Sequence, residues 1–147
     1  MGLLSSLTRS PPCTITRAAV LAPDQDRIWR LLADYGSHPD WRGFVTAERV
    51  GGGQEVWRLA GPVRTQGFFR VQRREAFSVA AGTAPGRLIH RMRLPARGER
   101  RLSLEGAPGG GTALTLVWTG PARHRHHLTI EADRLIAALI AVANGPG

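Results

Sequence analysis

The 147-residue chain contains no lysine and only one cysteine, Cys13. A lone cysteine excludes an internal disulfide, so the fold has to rest on its core. Long apolar runs are missing too. The longest, Leu135 to Ala143, covers nine residues, against the roughly 20 a membrane-spanning helix needs. No cysteine pair, HExxH, Walker-type glycine loop or GxSxG occurs, which removes the usual signatures of structural zinc, metalloproteases, NTPases and serine hydrolases. Nothing reads as a cleavable secretory leader, so a reducing, cytoplasmic setting is the expectation, with no membrane insertion.

What is present is arginine. All 20 basic residues are arginine, and the formal net charge is +9. They run from Arg9 to Arg134 without forming a block, so nucleic acid is not an expected partner. The length fits one domain with a real core. Residues 1–13, rich in serine and proline, read as a flexible tail, and 14–147 as a single domain.

Thr14 to Leu21 alternates and is β-prone, and it runs into a bounded helix. Pro23 suits a first helical turn, and Asp24 and Asp26 place negative charge at the positive end of the helix dipole. Ile28, Leu31, Leu32 and Tyr35 then form one apolar stripe. A short second helix fits around Asp40-Trp41. From Phe44 the punctuation changes, and strands are expected near 44–50, 55–60, 66–78, 86–94, 99–106 and 112–119. Turns are expected at Gly51-Gly52-Gly53, Gly61-Pro62, Ala84-Pro85-Gly86, Ala96-Arg97-Gly98 and Pro108 to Gly111. After Gly120-Pro121 a helix over 122–143 carries Ala132, Leu135, Ile136, Leu139, Ile140 and Ala143 on one face. This order predicts an α+β fold, a curved antiparallel seven-stranded sheet wrapped on a long C-terminal helix with two N-terminal helices, leaving room for a pocket.

Ala22-Pro23 leading into Ile28-Trp29-Arg30-Leu31-Leu32-Ala33-Asp34, and then His38-Pro39-Asp40-Trp41, resembles the START-like superfamily of polyketide cyclase/dehydrase and lipid-transport proteins, the helix-grip or Bet v 1-like fold. Pro85-Gly86-Arg87-Leu88-Ile89-His90-Arg91, Gly110-Gly111-Thr112-Ala113-Leu114-Thr115-Leu116 and Thr129 to Leu135 are similar to its later strands and closing helix. The resemblance implies a domain that binds a hydrophobic small molecule, polyketide- or lipid-like, in a cavity between sheet and C-terminal helix. Some members of the superfamily cyclise or dehydrate the bound chain.

Strand alternation selects the candidate site residues. His90 shares an apolar face with Leu88, Met92 and Leu94, and an inward imidazole could act as general acid or base. Phe69, Val71, Arg73, Glu75 and Phe77 share another face, which would bring Arg73 and Glu75 into the cavity as a pair. The alternative is a bulge near residue 72 that turns both to solvent. Trp57 and Trp118 are candidates for stacking on a flat ligand, with Phe69, Met92 and Leu135 completing the lining. His124, His127 and Glu131 have helical metal-ligand spacing, but Arg123 and Arg125 beside them oppose a cation, so no metal and no cofactor is expected. Three functions remain open: a small-molecule binder, a polyketide cyclase or dehydratase using His90, and an interaction module, toxin-like or chaperone-assisting, acting through a basic surface. A monomer or homodimer is expected.

Overall fold

The computed structural model describes residues 11–51 and 55–145. Strand β1 (Pro12–Leu21) leads to helix α1 (Gln25–Ala33), a 3-10 turn (Tyr35–Ser37) and a short helix α2 (His38–Arg42). Six strands follow: β2 (Thr46–Val50), β3 (Val56–Gln66), β4 (Phe69–Thr83), β5 (Arg87–Leu94), β6 (Gly98–Gly106) and β7 (Thr112–Pro121). A second 3-10 turn (Ala122–His124) opens helix α3 (Arg125–Ala143). The strands form one antiparallel sheet in the order β1-β7-β6-β5-β4-β3-β2. This is the expected α+β helix-grip architecture. Most of the expected tail and most of the Gly51-Gly52-Gly53 turn lie outside the described residues.

Capping explains where α1 starts. Asp24 is extended, and its carboxylate accepts a hydrogen bond from Arg27 N at 3.0 Å, satisfying one of the free amides of the first turn. Ile28, Leu32 and Tyr35 of the expected stripe are buried, and Leu31 is partly so. Tyr35 lies just past the helix, in the 3-10 turn. On α3 the inner side carries Leu128, Glu131, Ala132, Leu135, Leu139 and Ala143. Ile140, expected on that side, is exposed. The helix lies close on β7, because a Cβ at Gly120 would meet Leu128 Cδ1 at 2.7 Å. Arg17 on β1 holds Asp133 on α3 at 2.6 Å, and Asn144 Oδ1 accepts from Ala22 N at 3.0 Å, tying the helix end to the link before α1.

One turn moves. Gly61-Pro62, expected as a turn, lies inside β3 at a register shift between Ala60 and Val63. Such a site is where proline, which cannot donate to the ladder, is tolerated in a sheet. The reversal falls instead at Gly67-Phe68, between the paired residues Gln66 and Phe69, with Gly67 at φ 62°. That conformation favours glycine. As a result β3 and β4 run several residues past their neighbours, and the bulge anticipated near residue 72 is carried by the opposite strand.

Candidate functional site

A continuous polar chain crosses the core between the helical layer and the sheet. His38 opens α2 and Arg42 closes it one helical turn later, so both point the same way. Arg42 Nη1 donates to His38 Nδ1 at 3.2 Å, and His38 Nε2 donates to the Leu32 carbonyl at 3.0 Å. Arg42 also clamps Glu75 of β4 with two bonds, Nη1 to Oε1 at 2.8 Å and Nη2 to Oε2 at 2.6 Å. From β6, Arg100 Nη1 reaches the same carboxylate, 2.8 Å from Oε1, as an ion contact outside hydrogen-bond alignment. Arg100 Nε and Nη2 donate to His90 Nδ1 on β5 at 3.2 and 3.0 Å. With Nδ1 accepting, the neutral ring carries its proton on Nε2, which donates to Tyr35 Oη at 3.0 Å.

Aromatic rings surround this chain. Phe77 stacks on His90 with centroids 4.5 Å apart, and Tyr35 makes ring contacts with His38, Phe77, His90 and Trp57 at 5.3 to 5.6 Å. The Arg100 guanidinium lies 5.1 Å from the Phe77 ring centre and 5.0 Å from that of Trp118, a favourable cation–π placement for a charge out of water.

Burial and the two arginines set the protonation states. Burial, followed by Arg42, lowers His38 to about 3. Burial, followed by Arg100, holds His90 well below the usual imidazole range. Burial pushes Tyr35 up to about 12, so it is a neutral phenol at pH 7. For Glu75, burial opposes the charge, but Arg100 and Arg42 outweigh it and keep the carboxyl well below its usual range. Two guanidiniums, one carboxylate and two neutral imidazoles leave one net positive charge. The buried atoms with no hydrogen-bond partner include Trp41 Nε1, Arg42 Nε and Trp118 Nε1, all N–H donors.

The structure divides the candidate site residues. His90, 1 % exposed, Glu75, Met92, Trp118 and Leu135 are all buried, so they pack into the interior rather than line an open cavity. Trp57 is partly buried at the edge of this cluster, its Nε1 donating to Glu55 Oε1 at 2.9 Å. Arg73 does not pair with Glu75. It holds Glu131 of α3 at 2.8 and 2.9 Å and sits over the Phe44 ring. Phe69 does not belong to the interior at all, being 75 % exposed. Its strand parity is as expected, but β4 begins beyond the reach of the helical layer. Among the described residues no group of three or more His, Cys, Asp or Glu could hold a metal ion, and no helix is long and apolar enough to cross a membrane. Glu131, one of the three residues with metal-ligand spacing, is engaged by Arg73 and Arg134.

Three members of the network, His38, Arg42 and Arg100, are not singled out as site residues by the sequence, and Tyr35 stands out only as part of the apolar stripe of the first helix. For Arg100 a signal exists, since it alternates with the inward Leu102 and Leu104. For Arg42 none does, because α2 is five residues long and has no readable periodicity.

No family model matches the sequence, and no curated protein matches it significantly. Solved structures do match. A START superfamily protein from Mycobacterium smegmatis superposes with a TM-score of 0.67 at 15% identity, over 89% of this chain and 97% of that one. The Zhui aromatase/cyclase from a Streptomyces species gives 0.67 at 16% identity, over 91% and 94%. A protein from Mesorhizobium loti gives 0.69 at 12% identity, over 90% and 97%. The chain has the START-like, helix-grip fold. Within that fold, the interior between α2 and strands β4, β5 and β6 is occupied here by the Arg42–Glu75–Arg100 network and its aromatic surround.

Two outcomes are expected from this geometry. Glu75→Gln leaves two buried guanidiniums without a counter-charge and should cost about 3–5 kcal/mol in urea unfolding. Replacing the whole triad by Arg42→Met, Glu75→Leu and Arg100→Met should cost less than the single change, because no charge is then stranded; a larger loss in the triple variant would contradict this account. The histidines set the pH response. Unfolded imidazoles protonate near 6.5, whereas the folded ones resist protonation, so below that pH the unfolded state binds more protons and acid weakens the fold. Stability should be level above about pH 7 and fall by up to about 2.7 kcal/mol per pH unit, two groups together, between pH 6 and 4. A flat profile from pH 7.5 to 5 would refute it.

Proposed function

We propose that this helix-grip domain binds a hydrophobic or aromatic small molecule bearing carbonyl or enol oxygens between the sheet and the helices, entering by displacement of side chains that are packed together in the ligand-free interior. The observation that carries this reading is the donor excess of the interior. A buried N–H without a partner costs about 1–3 kcal/mol, and here the unpartnered nitrogens of Trp41, Arg42 and Trp118 accompany a net positive charge. An acceptor-rich ligand would satisfy these groups, and the rings of Tyr35, Trp57 and Phe77 would flank its apolar body. Matching structures named as aromatase/cyclases support the same ligand class.

A specific contact favours a second reading, that of a cyclase or dehydratase. His90 Nε2–H donates to Tyr35 Oη, which leaves the phenolic proton of Tyr35 free to pass to a ligand carbonyl oxygen. The phenolate so formed would keep the His90 hydrogen bond and lie in the field of Arg100. His90 then acts as a positioning residue behind Tyr35 instead of the acid or base expected from sequence. Arg73 and the saturated Glu75 take no part.

Quenching of tryptophan fluorescence tests the binding. 1,8-Dihydroxyanthraquinone should bind at least tenfold more tightly than anthracene, which has the same three-ring skeleton without oxygens. Equal affinity, or a preference for anthracene, rejects the donor-based account. For the enzyme reading, Tyr35→Phe should abolish cyclisation of a poly-carbonyl chain while leaving affinity within about threefold; undiminished turnover would remove Tyr35 and His90 from the chemistry.

A further inference from the structure

The β3–β4 hairpin takes no part in the interior site. Pairing of β2 with β3 ends at Ala60, and β5 pairs with β4 only as far as Ala76. Residues 62–72 are therefore a two-stranded ribbon without a third strand. At about 3.3 Å per residue its tip stands roughly 20 Å beyond the sheet. Every side chain from Pro62 to Val71 is exposed. Four of them are apolar, Val63, Phe68, Phe69 and Val71, and Phe68 at the turn is fully exposed. Two exposed phenylalanines at a projecting tip have no role in stabilising this chain, whereas Phe44 and Phe77 are in the core.

The ribbon also carries charge of one sign. Residues 62–72 hold Arg64 and Arg70 and no acid, and counting both strands from Val56 to Arg74 adds Arg58, Arg74 and the Glu131-paired Arg73, again with no aspartate or glutamate. Arg64 and Arg70 lie just behind the apolar tip. At the hairpin base, on the sheet face opposite α3, Arg58, Arg74, Arg91, Arg93 and Arg97 line a groove of about 890 Å³, against one exposed acid in the same lining, Glu48, which lies opposite Arg58. Arg93 enters it from an irregularity where β5 skips a residue against β4. Among the described residues none of these five forms an ion pair.

We propose that the hairpin and the groove behind it dock this protein on an anionic phospholipid surface. Phe68 and Phe69 enter the boundary between headgroups and acyl chains, and the arginines contact lipid phosphates. The order along the projection, apolar tip first and positive collar behind, is that of a bilayer interface. A second copy fits poorly, because a two-fold contact through this patch sets arginine against arginine with no acid on the ribbon to pair with them. A nucleic acid would neutralise the arginines but leave Val63 and Val71 in water. The protein lies on the membrane and does not span it.

Co-sedimentation with vesicles tests the proposal, using phosphatidylcholine alone and a 3:1 mixture with phosphatidylglycerol. The full chain should bind the mixed vesicles, at least tenfold more weakly the neutral ones, and be released by 0.5 M salt. Phe68→Ser/Phe69→Ser should reduce binding at least tenfold with an unchanged Tm, since both side chains are exposed. Arg58→Gln/Arg74→Gln/Arg93→Gln should do the same. No binding to mixed vesicles overturns the proposal, as does full binding by the phenylalanine variant. Two other results also reject it. One is a concentration-dependent dimer that the phenylalanine variant loses, without vesicle binding. The other is binding to a 20-nucleotide single-stranded DNA with the same mutational profile, again without vesicle binding. Competition by 5 mM inorganic phosphate that matches the salt effect supports lipid docking, whereas complete release by phosphate at constant ionic strength assigns the groove to the free anion and overturns it.

Discussion

Glu75 is a carboxylate with almost no access to water, and its charge survives there because Arg42 and Arg100 face it from two directions. Removing such ions from water costs several kcal/mol each, a penalty recovered only when the partners are close and well aligned. Alignment therefore constrains the fold. α2 has to present Arg42 at the sheet, β4 has to turn Glu75 inward, and β6 has to supply Arg100 from two strands away. The packing of Tyr35, Phe77 and Trp118 follows from where those charges sit, since the rings fill the space around guanidiniums that water cannot reach.

The same arrangement gives the interior its chemical character. Burial, helped by two arginines for one carboxylate, keeps both histidines neutral and leaves buried N–H donors in excess. A purely apolar core has no polar groups to satisfy, whereas this one holds N–H groups that lack a partner. Outside, the arginines serve differently. Arg58, Arg74, Arg91, Arg93 and Arg97 in the groove form no ion pair among the described residues, and the hairpin they adjoin ends in hydrophobic groups at its tip. The molecule thus joins a closed, donor-rich interior to an open cationic rim.

Much of the architecture is legible in the residues. The Asp24 cap, the spacing of Ile28, Leu32 and Tyr35, and the glycine-punctuated β runs lead to the seven strands and three helices observed. Parity correctly turns His90, Glu75 and Trp118 inward. It fails at Phe69, because alternation tells which side of a strand a residue occupies and not whether anything covers that side. It also fails to pair Arg73 correctly. Arg73 and Glu75 share a face two residues apart, but each finds a nearer partner on another element, Glu131 on α3 and the two arginines from α2 and β6.

The features readable along the chain are local: where helices begin, which residues alternate, where glycine permits a reversal, and that a fold with a single cysteine must be held by its core. These follow from backbone sterics, capping and periodicity, whose reach is a few residues. Tertiary folding, by contrast, brings Arg42 to Glu75 across a separation of 33 residues and gathers dispersed arginines at one groove. It also decided that the β3–β4 hairpin outruns the sheet. Charge pairing and coverage by a neighbouring layer act between segments distant in sequence, so neither leaves a periodic trace in the chain.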